Sequence, residues 1–142
     1  MSPPLDHPMI AIDTNIAARY LLADIPDHHR RVTDLFAKAS SGKVELFVPA
    51  AVFAELSYIL TRLTGIPRQQ AAQGLLQLSI TPGLVIEHAD AIANALVYWR
   101  DNGGVSFVDC FLLALSEARG ITQIYSFDKK MNRYPGVERI EP

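Results

Sequence analysis

The chain has 142 residues, 49% of them hydrophobic and 20% charged, with a formal net charge of −2. That fits one compact domain with its own core, gives no overall attraction to nucleic acid, and leaves any phosphate binding to a local basic patch. The single cysteine, Cys110, excludes an intramolecular disulfide and suits a reducing cytosol, while no run reaches the ~18 apolar residues of a membrane span.

Residues 1–7 read as a loose, proline-rich leader to a single domain covering 1–142. Residues 1–8 lack the charged start and apolar stretch of a signal peptide, so the expected location is the cytoplasm. Residues 9–12 form a short apolar run, right for a buried strand and too short for a helix. Asp13, Thr14 and Asn15 are good helix starters, and a short helix is expected over 16–22. Asp27 can cap a second helix that stops at the Ser40-Ser41-Gly42 break.

A second strand follows at 44–48. Pro49 suits a first helical turn, and the helix over 50–62 carries an apolar stripe of Val52, Leu56, Ile59, Leu60 and Leu63. Gly65 breaks it, and Pro67 starts another helix running to about residue 78. After the Thr81-Pro82-Gly83 turn, strand three is expected at 84–86, then a helix over 88–100 closed by Asn102-Gly103-Gly104. Ser106 caps a helix to about residue 119, ended by Gly120. Strand four is 123–125, a short helix 128–134, and 137–140 is a candidate fifth strand. Strands alternating with helices, and early strands that are uniformly apolar, predict an α/β fold whose parallel sheet is covered on both faces.

Four acids stand where their surroundings are least acidic. Asp13 ends the first apolar run, Glu55 is the only charge between Leu46 and Thr61, Asp109 lies in Val105-Ser106-Phe107-Val108-Asp109-Cys110, and Asp128 follows Tyr125-Ser126-Phe127. Each has an ordinary use. Asp13 can cap the next helix, Glu55 can be a solvated residue beside the stripe, Ser106 to Asp109 is a capping-box pattern, and Asp128 can cap its own helix or pair with Lys129 or Lys130. Ligands of parallel sheets bind beyond the carboxyl ends of the strands, so the topology can gather all four at one edge.

Clustered carboxylates repel one another unless cations intervene. Mg2+ or Mn2+, one or two per site, prefers oxygen ligands of this kind. Such an ion activates water, and a pair roughly 3.5–4 Å apart also steadies the leaving oxygen of a phosphodiester. Other nucleophiles are unconvincing. Ser106 and Ser126 have no evident histidine partner, His28 and His29 stand in a polar segment and are expected to face solvent, His88 opens a helix, and Cys110 reads as a small core residue. No glycine-rich phosphate loop is present.

Ile12-Asp13-Thr14-Asn15, Ala54-Glu55-Leu56, Ser106-Phe107-Val108-Asp109-Cys110 and Tyr125-Ser126-Phe127-Asp128-Lys129, in that order and spacing, resemble the motifs of PIN-domain proteins, and specifically of VapC-type toxin ribonucleases. The resemblance implies a three-layer α/β/α sandwich with a central parallel sheet of about five strands, and Mg2+- or Mn2+-dependent cleavage of RNA. It assigns Asp13, Glu55, Asp109 and Asp128 to an acidic, metal-holding quartet, with Asn15 or Thr14 orienting the first acid or its water and Ser126 near the site. It also implies a homodimer, and a small antitoxin lying over the acids. Cys110 departs from the small residue usual there.

Arg19, Arg62 and Lys129, with Arg68, Lys130 and Arg133, are candidate phosphate contacts. Tyr20, Tyr58, Tyr98 and Trp99 could stack bases, although core or dimer packing is the expected role of each. Two competing readings remain open, a non-catalytic PIN-like module that binds RNA or protein, and a phosphatase using Asp13 as nucleophile. The phosphatase lacks its second acid, because Asn15 stands two residues after Asp13.

Overall fold

The computed structural model describes residues 7–142, so most of the expected leader lies outside the described residues. β1 (Met9–Ala11) is followed by α1 (Thr14–Leu22), α2 (Pro26–Ser40), β2 (Glu45–Val48) and α3 (Ala50–Tyr58). Then come α4 (Arg68–Ser79), β3 (Leu84–Ile86), α5 (Ala89–Asp101), α6 (Phe107–Ala118), β4 (Gln123–Tyr125) and β5 (Glu138–Ile140). Among the described residues no helix is long and apolar enough to cross a membrane.

All strand pairs are parallel, as the alternation of strands and helices requires. β2 is central between β1 and β3, with Ile10 opposite Leu46 and Phe47 opposite Val85. The ladder runs one step past β1, where the Ile12 N–H donates to the Phe47 carbonyl at 3.0 Å. The five strands do not form one ladder, however. β4 and β5 pair as a separate two-stranded sheet.

That split corrects one expectation. An apolar β1 predicted burial on both faces, yet β1 is an edge strand with Met9 46% and Ile10 52% exposed. Hydrophobicity alone does not bury a strand that has a neighbour on one side only. In β2 the burial alternates, with Leu46 and Val48 fully enclosed.

The core sits between the sheets and two helical groups. α1 packs on α2 and α3, α5 on both α4 and α6, and α3 bridges the groups by touching α4 and α6. Phe53, Leu56, Leu75, Leu78, Ile92, Leu96, Phe107, Cys110 and Leu113 are all fully buried. Burying each large side chain stabilises by about 1.5–3 kcal/mol.

The start of α2 and the end of the helix after β2 differ from expectation. α2 begins at Pro26 with Ile25 in the cap position and no side-chain cap; Asp27 lies in the first turn and pairs with Arg30. A proline at the first turn sets φ and needs no donor, which moves the start one residue ahead of the acid. The expected helix over 50–62 is α-helical only to Tyr58 and continues as a π-helical turn over Ile59–Leu63, closed by Thr64 N–H to the Ile59 carbonyl at 3.0 Å. Thr61 and Thr64 hydroxyls bond back to the carbonyls of Ser57, Ile59 and Leu60. Such back-bonding competes with the α ladder, and π turns of this kind occur often at functional sites.

Candidate active site

Asp13 sits two residues beyond β1 as the N-cap of α1, and its Oδ1 accepts the Ile16 N–H at 3.0 Å. The capping use is thus realised, and the second carboxylate oxygen stays open on an exposed side chain. Thr14 is buried in the first turn and Asn15 is exposed beside it.

Glu55 projects from α3, whose start is held from outside. Pro49 supplies no side-chain cap, and the Ala50 N–H donates instead to Glu87 Oε1 at 2.9 Å, across from the end of β3. Glu87 therefore positions the helix that carries Glu55, a role that its place in a short loop did not announce. Glu55 is exposed, and so are its neighbours Ala51 and Tyr58, which is the solvated placement beside the apolar stripe.

Asp109 lies in the first turn of α6. Ser106 Oγ accepts its N–H at 3.1 Å, which is the hydroxyl half of the capping box. Among the described residues the half-buried Asp109 carboxylate has no hydrogen-bond partner, so the cap aims the residue without occupying it. Asp128 is held the same way. Ser126 Oγ accepts the Asp128 N–H at 3.0 Å, and Asp128 Oδ1 accepts the Lys130 N–H at 3.0 Å, starting a 3-10 turn over Lys129–Arg133 in place of the expected short α-helix.

Asp109 and Asp128 meet in one cavity of about 670 Å3. α3 and its π turn furnish the opposite wall with Ala54, Ser57, Tyr58, Thr61 and Arg62, while Arg68, Ser106 and Lys130 complete the polar lining. Glu55 shares a helical turn with Ala54 and Tyr58 but does not itself line the cavity. Asp13 belongs to the wall of another cavity, of about 700 Å3, between α1 and α2, together with Asn15, Arg19 and His28. Among the described residues no three His, Cys, Asp or Glu side chains gather closely enough to hold a metal ion. The donor chemistry suits a hard cation, and none of the four acids pairs with a Lys, Arg or His among the described residues. The spacing nevertheless offers a pair, Asp109 with Asp128, rather than a closed cage.

The candidate cations divide. Arg19 is bound to Asp24 at 3.0 Å. Lys129 is exposed and does not line the cavity, whereas its neighbour Lys130 does. Arg62 and Arg68 line it, without a carboxylate partner among the described residues. Tyr20 packs on Phe36, Tyr98 on Tyr134 and Trp99 on Phe107, as core residues do, but Tyr58 is 58% exposed on the cavity wall. His29 is not free in solvent, since a ring nitrogen lies 3.1 Å from the Arg19 carbonyl. Burial, and secondarily the Asp109 charge, push the Cys110 thiol up to about 12, which removes it as a nucleophile.

Parallel strands flanked by helices place a ligand site beyond the carboxyl ends of the strands, where these acids stand. The PIN domain model matches residues 10–137, and the chain belongs to that family. Its curated relatives include a VapC ribonuclease of Mycobacterium bovis and ribonuclease VapC13 of Mycobacterium tuberculosis. Each is 29% identical over 137 residues, spanning 93% of this chain and 99% of the relative. Among solved structures, the sarcin–ricin-loop-cleaving toxin VapC20 of Mycobacterium tuberculosis aligns over 94% of this chain and 99% of its own at 23% identity and a TM-score of 0.40. VapBC2 of Rickettsia felis, bound to a promoter DNA fragment, aligns over 94% and 98% at 13% identity and a TM-score of 0.40.

Proposed function

We propose that this chain is an endoribonuclease, dependent on Mg2+ or Mn2+, and the toxin of a toxin–antitoxin pair. The carrying observation is one cavity in which Asp109 and Asp128 face Arg62, Arg68 and Lys130 with no ion pair among them. Carboxylates and cations that share a cavity unpaired suit a phosphodiester, which occupies the cations and leaves the acids to the metal and to water. The likeness to curated VapC ribonucleases supports RNA as the substrate and an antitoxin as the partner. A homodimer and a cytoplasmic setting belong to the same reading.

In this proposal Asp109 and Asp128 would be the first metal ligands; the family resemblance adds Asp13 and Glu55, which lie outside their shared cavity. A bound divalent ion supplies an activated water at neutral pH. The chain's own part is positioning. Ser106 and Ser126 fix the two facing acids through backbone N–H bonds, and the cations orient the scissile phosphate. The acids as arranged do not enclose an ion.

The test is cleavage of RNA by the purified protein with Mg2+ or Mn2+ and with EDTA, beside Asp109→Asn. Metal-dependent cleavage that the variant loses supports the proposal; cleavage in EDTA, or an active Asp109→Asn, sinks it. The open spacing of the acids favours the second reading, a non-catalytic binding module, and titration calorimetry separates the two. Absence of Mg2+ and Mn2+ binding would leave the module.

A further inference from the structure

We propose that Arg68 grips a backbone phosphate of single-stranded RNA in a cavity that Arg62 also lines, and that Gly103 leaves the room that seats it. The identity of the ligand rests on the ribonuclease reading above; the site itself rests on geometry. Arg68 opens α4 and is half-buried. Its Nη2 donates to the Arg100 carbonyl at 3.4 Å, and its Nε is buried with no partner. A guanidinium carries five N–H donors in a fixed fork. Among the described residues no carboxylate lies within ion-pair distance of this one. A partly buried, undersatisfied cation in a cavity is a receptor for an anion, and its planar fork matches phosphate oxygens bidentately.

The neighbours point the same way. The π turn keeps Arg62 and Thr61 on the cavity wall, and Lys130 enters from the Asp128 loop. On the far side, a Cβ at Gly103 would lie 2.9 Å from Arg68 Nη1. Gly103 does not need glycine for its φ, so the missing side chain leaves room for the guanidinium. That separates two tests, one removing the charge and one moving it.

The background is Asp13→Asn, in which cleavage is expected to be lost, and the probe is a short fluorescein-labelled single-stranded RNA read by anisotropy. Arg68→Gln is expected to weaken binding roughly tenfold or more, the value of a lost charge-assisted contact. It should also flatten the log–log salt dependence by about 0.7. Arg68→Lys should recover part of the loss. Gly103→Ala should weaken binding with the melting temperature unchanged, since only the far end of a flexible side chain must shift. Unaltered affinity and salt slope in Arg68→Gln overturn the proposal, as does an affinity loss that only tracks a lowered melting temperature with an unchanged slope. A background protein that binds no RNA overturns it too. If the background binds RNA and Arg68→Gln does not, while the wild type never cleaves, the ribonuclease reading fails and the clamp stands. If the wild type cleaves and Arg68→Gln binds RNA unimpaired, the clamp fails and the ribonuclease reading stands.

Discussion

Asp13 and Asp128 each use one carboxylate oxygen to cap a helical turn and leave the other open. Asparagine caps as well as aspartate, so Asp13→Asn should keep the melting temperature within a degree or two while abolishing RNA cleavage; equal activity in a gel assay would refute the role. Asp13→Ala should in addition cost about 1 kcal/mol in denaturant unfolding, because the cap is lost. Ser106→Ala should cost a similar amount and also slow cleavage, since it loosens the turn that aims Asp109. Cys110 and Tyr134 weaken the fold at alkaline pH. Burial raises Cys110 from 9.0 to about 12, and burial with the Glu117 hydrogen bond raises Tyr134 from 10.0 to about 12. Both stay protonated in the folded protein where the unfolded chain ionises. The unfolded state then binds fewer protons, so stability is constant from these groups below about pH 9 and falls as pH climbs toward 12. Urea midpoints at about pH 8 and 10.5 check this, and Cys110→Ala should flatten the decline.

Among the elements, the helix after β2 shows how far local patterning reaches. The apolar stripe of Val52 and Leu56 was readable and is buried, and the start at Pro49 followed from proline's fixed φ. The switch to a π turn was not readable, because it arises from hydroxyl bonds of Thr61 and Thr64 that only the folded backbone brings into range. Glu87 was missed for the same reason. Its bond to Ala50 joins residues far apart in the chain, and no periodicity signals it. Glu87→Ala should therefore lower stability by about 1 kcal/mol and reduce cleavage with RNA affinity nearly intact, as checked by kcat against Kd. Gly83 is the tightest joint between elements. It has φ +87, its carbonyl accepts the Leu46 N–H at 2.9 Å, and an added Cβ would overlap the Ala39 backbone. Strain and overlap together predict that Gly83→Ala destabilises by about 2–4 kcal/mol, measured by urea unfolding.

For the whole molecule, strand and helix order were legible because each segment carries its own period and stop signals. Each acid stood out because it interrupts an apolar stretch, but only Asp109 and Asp128 share a cavity in the folded chain. The final spacing of the acids was not legible, because it depends on how β4 and β5 sit against the rest, and the strands' residues do not encode that pairing. If the acids hold a divalent ion, ligand linkage stabilises the fold. Mg2+ or Mn2+ at a hundredfold its Kd should add about 2.7 kcal/mol, seen as a rise in Tm that EDTA reverses and that Asp109→Asn with Asp128→Asn removes. No shift at millimolar metal would count against the metal site.

The two sheets give the molecule a seam. The body with β4 and β5 carries Asp128, and the rest carries Asp13, Glu55 and Asp109; no β ladder joins the two sheets. Side chains close the gap. Tyr134 stacks edge-on against Tyr98 at 4.9 Å between ring centres, and its hydroxyl donates to Glu117 at 3.0 Å. Backbone ladders resist small displacements, but packed rings yield to the loss of one atom. Tyr134 thus works like a rivet whose wear shows first as a misaligned jaw. A change there would displace Asp128 and, because Tyr134 is buried, lower the melting temperature as well.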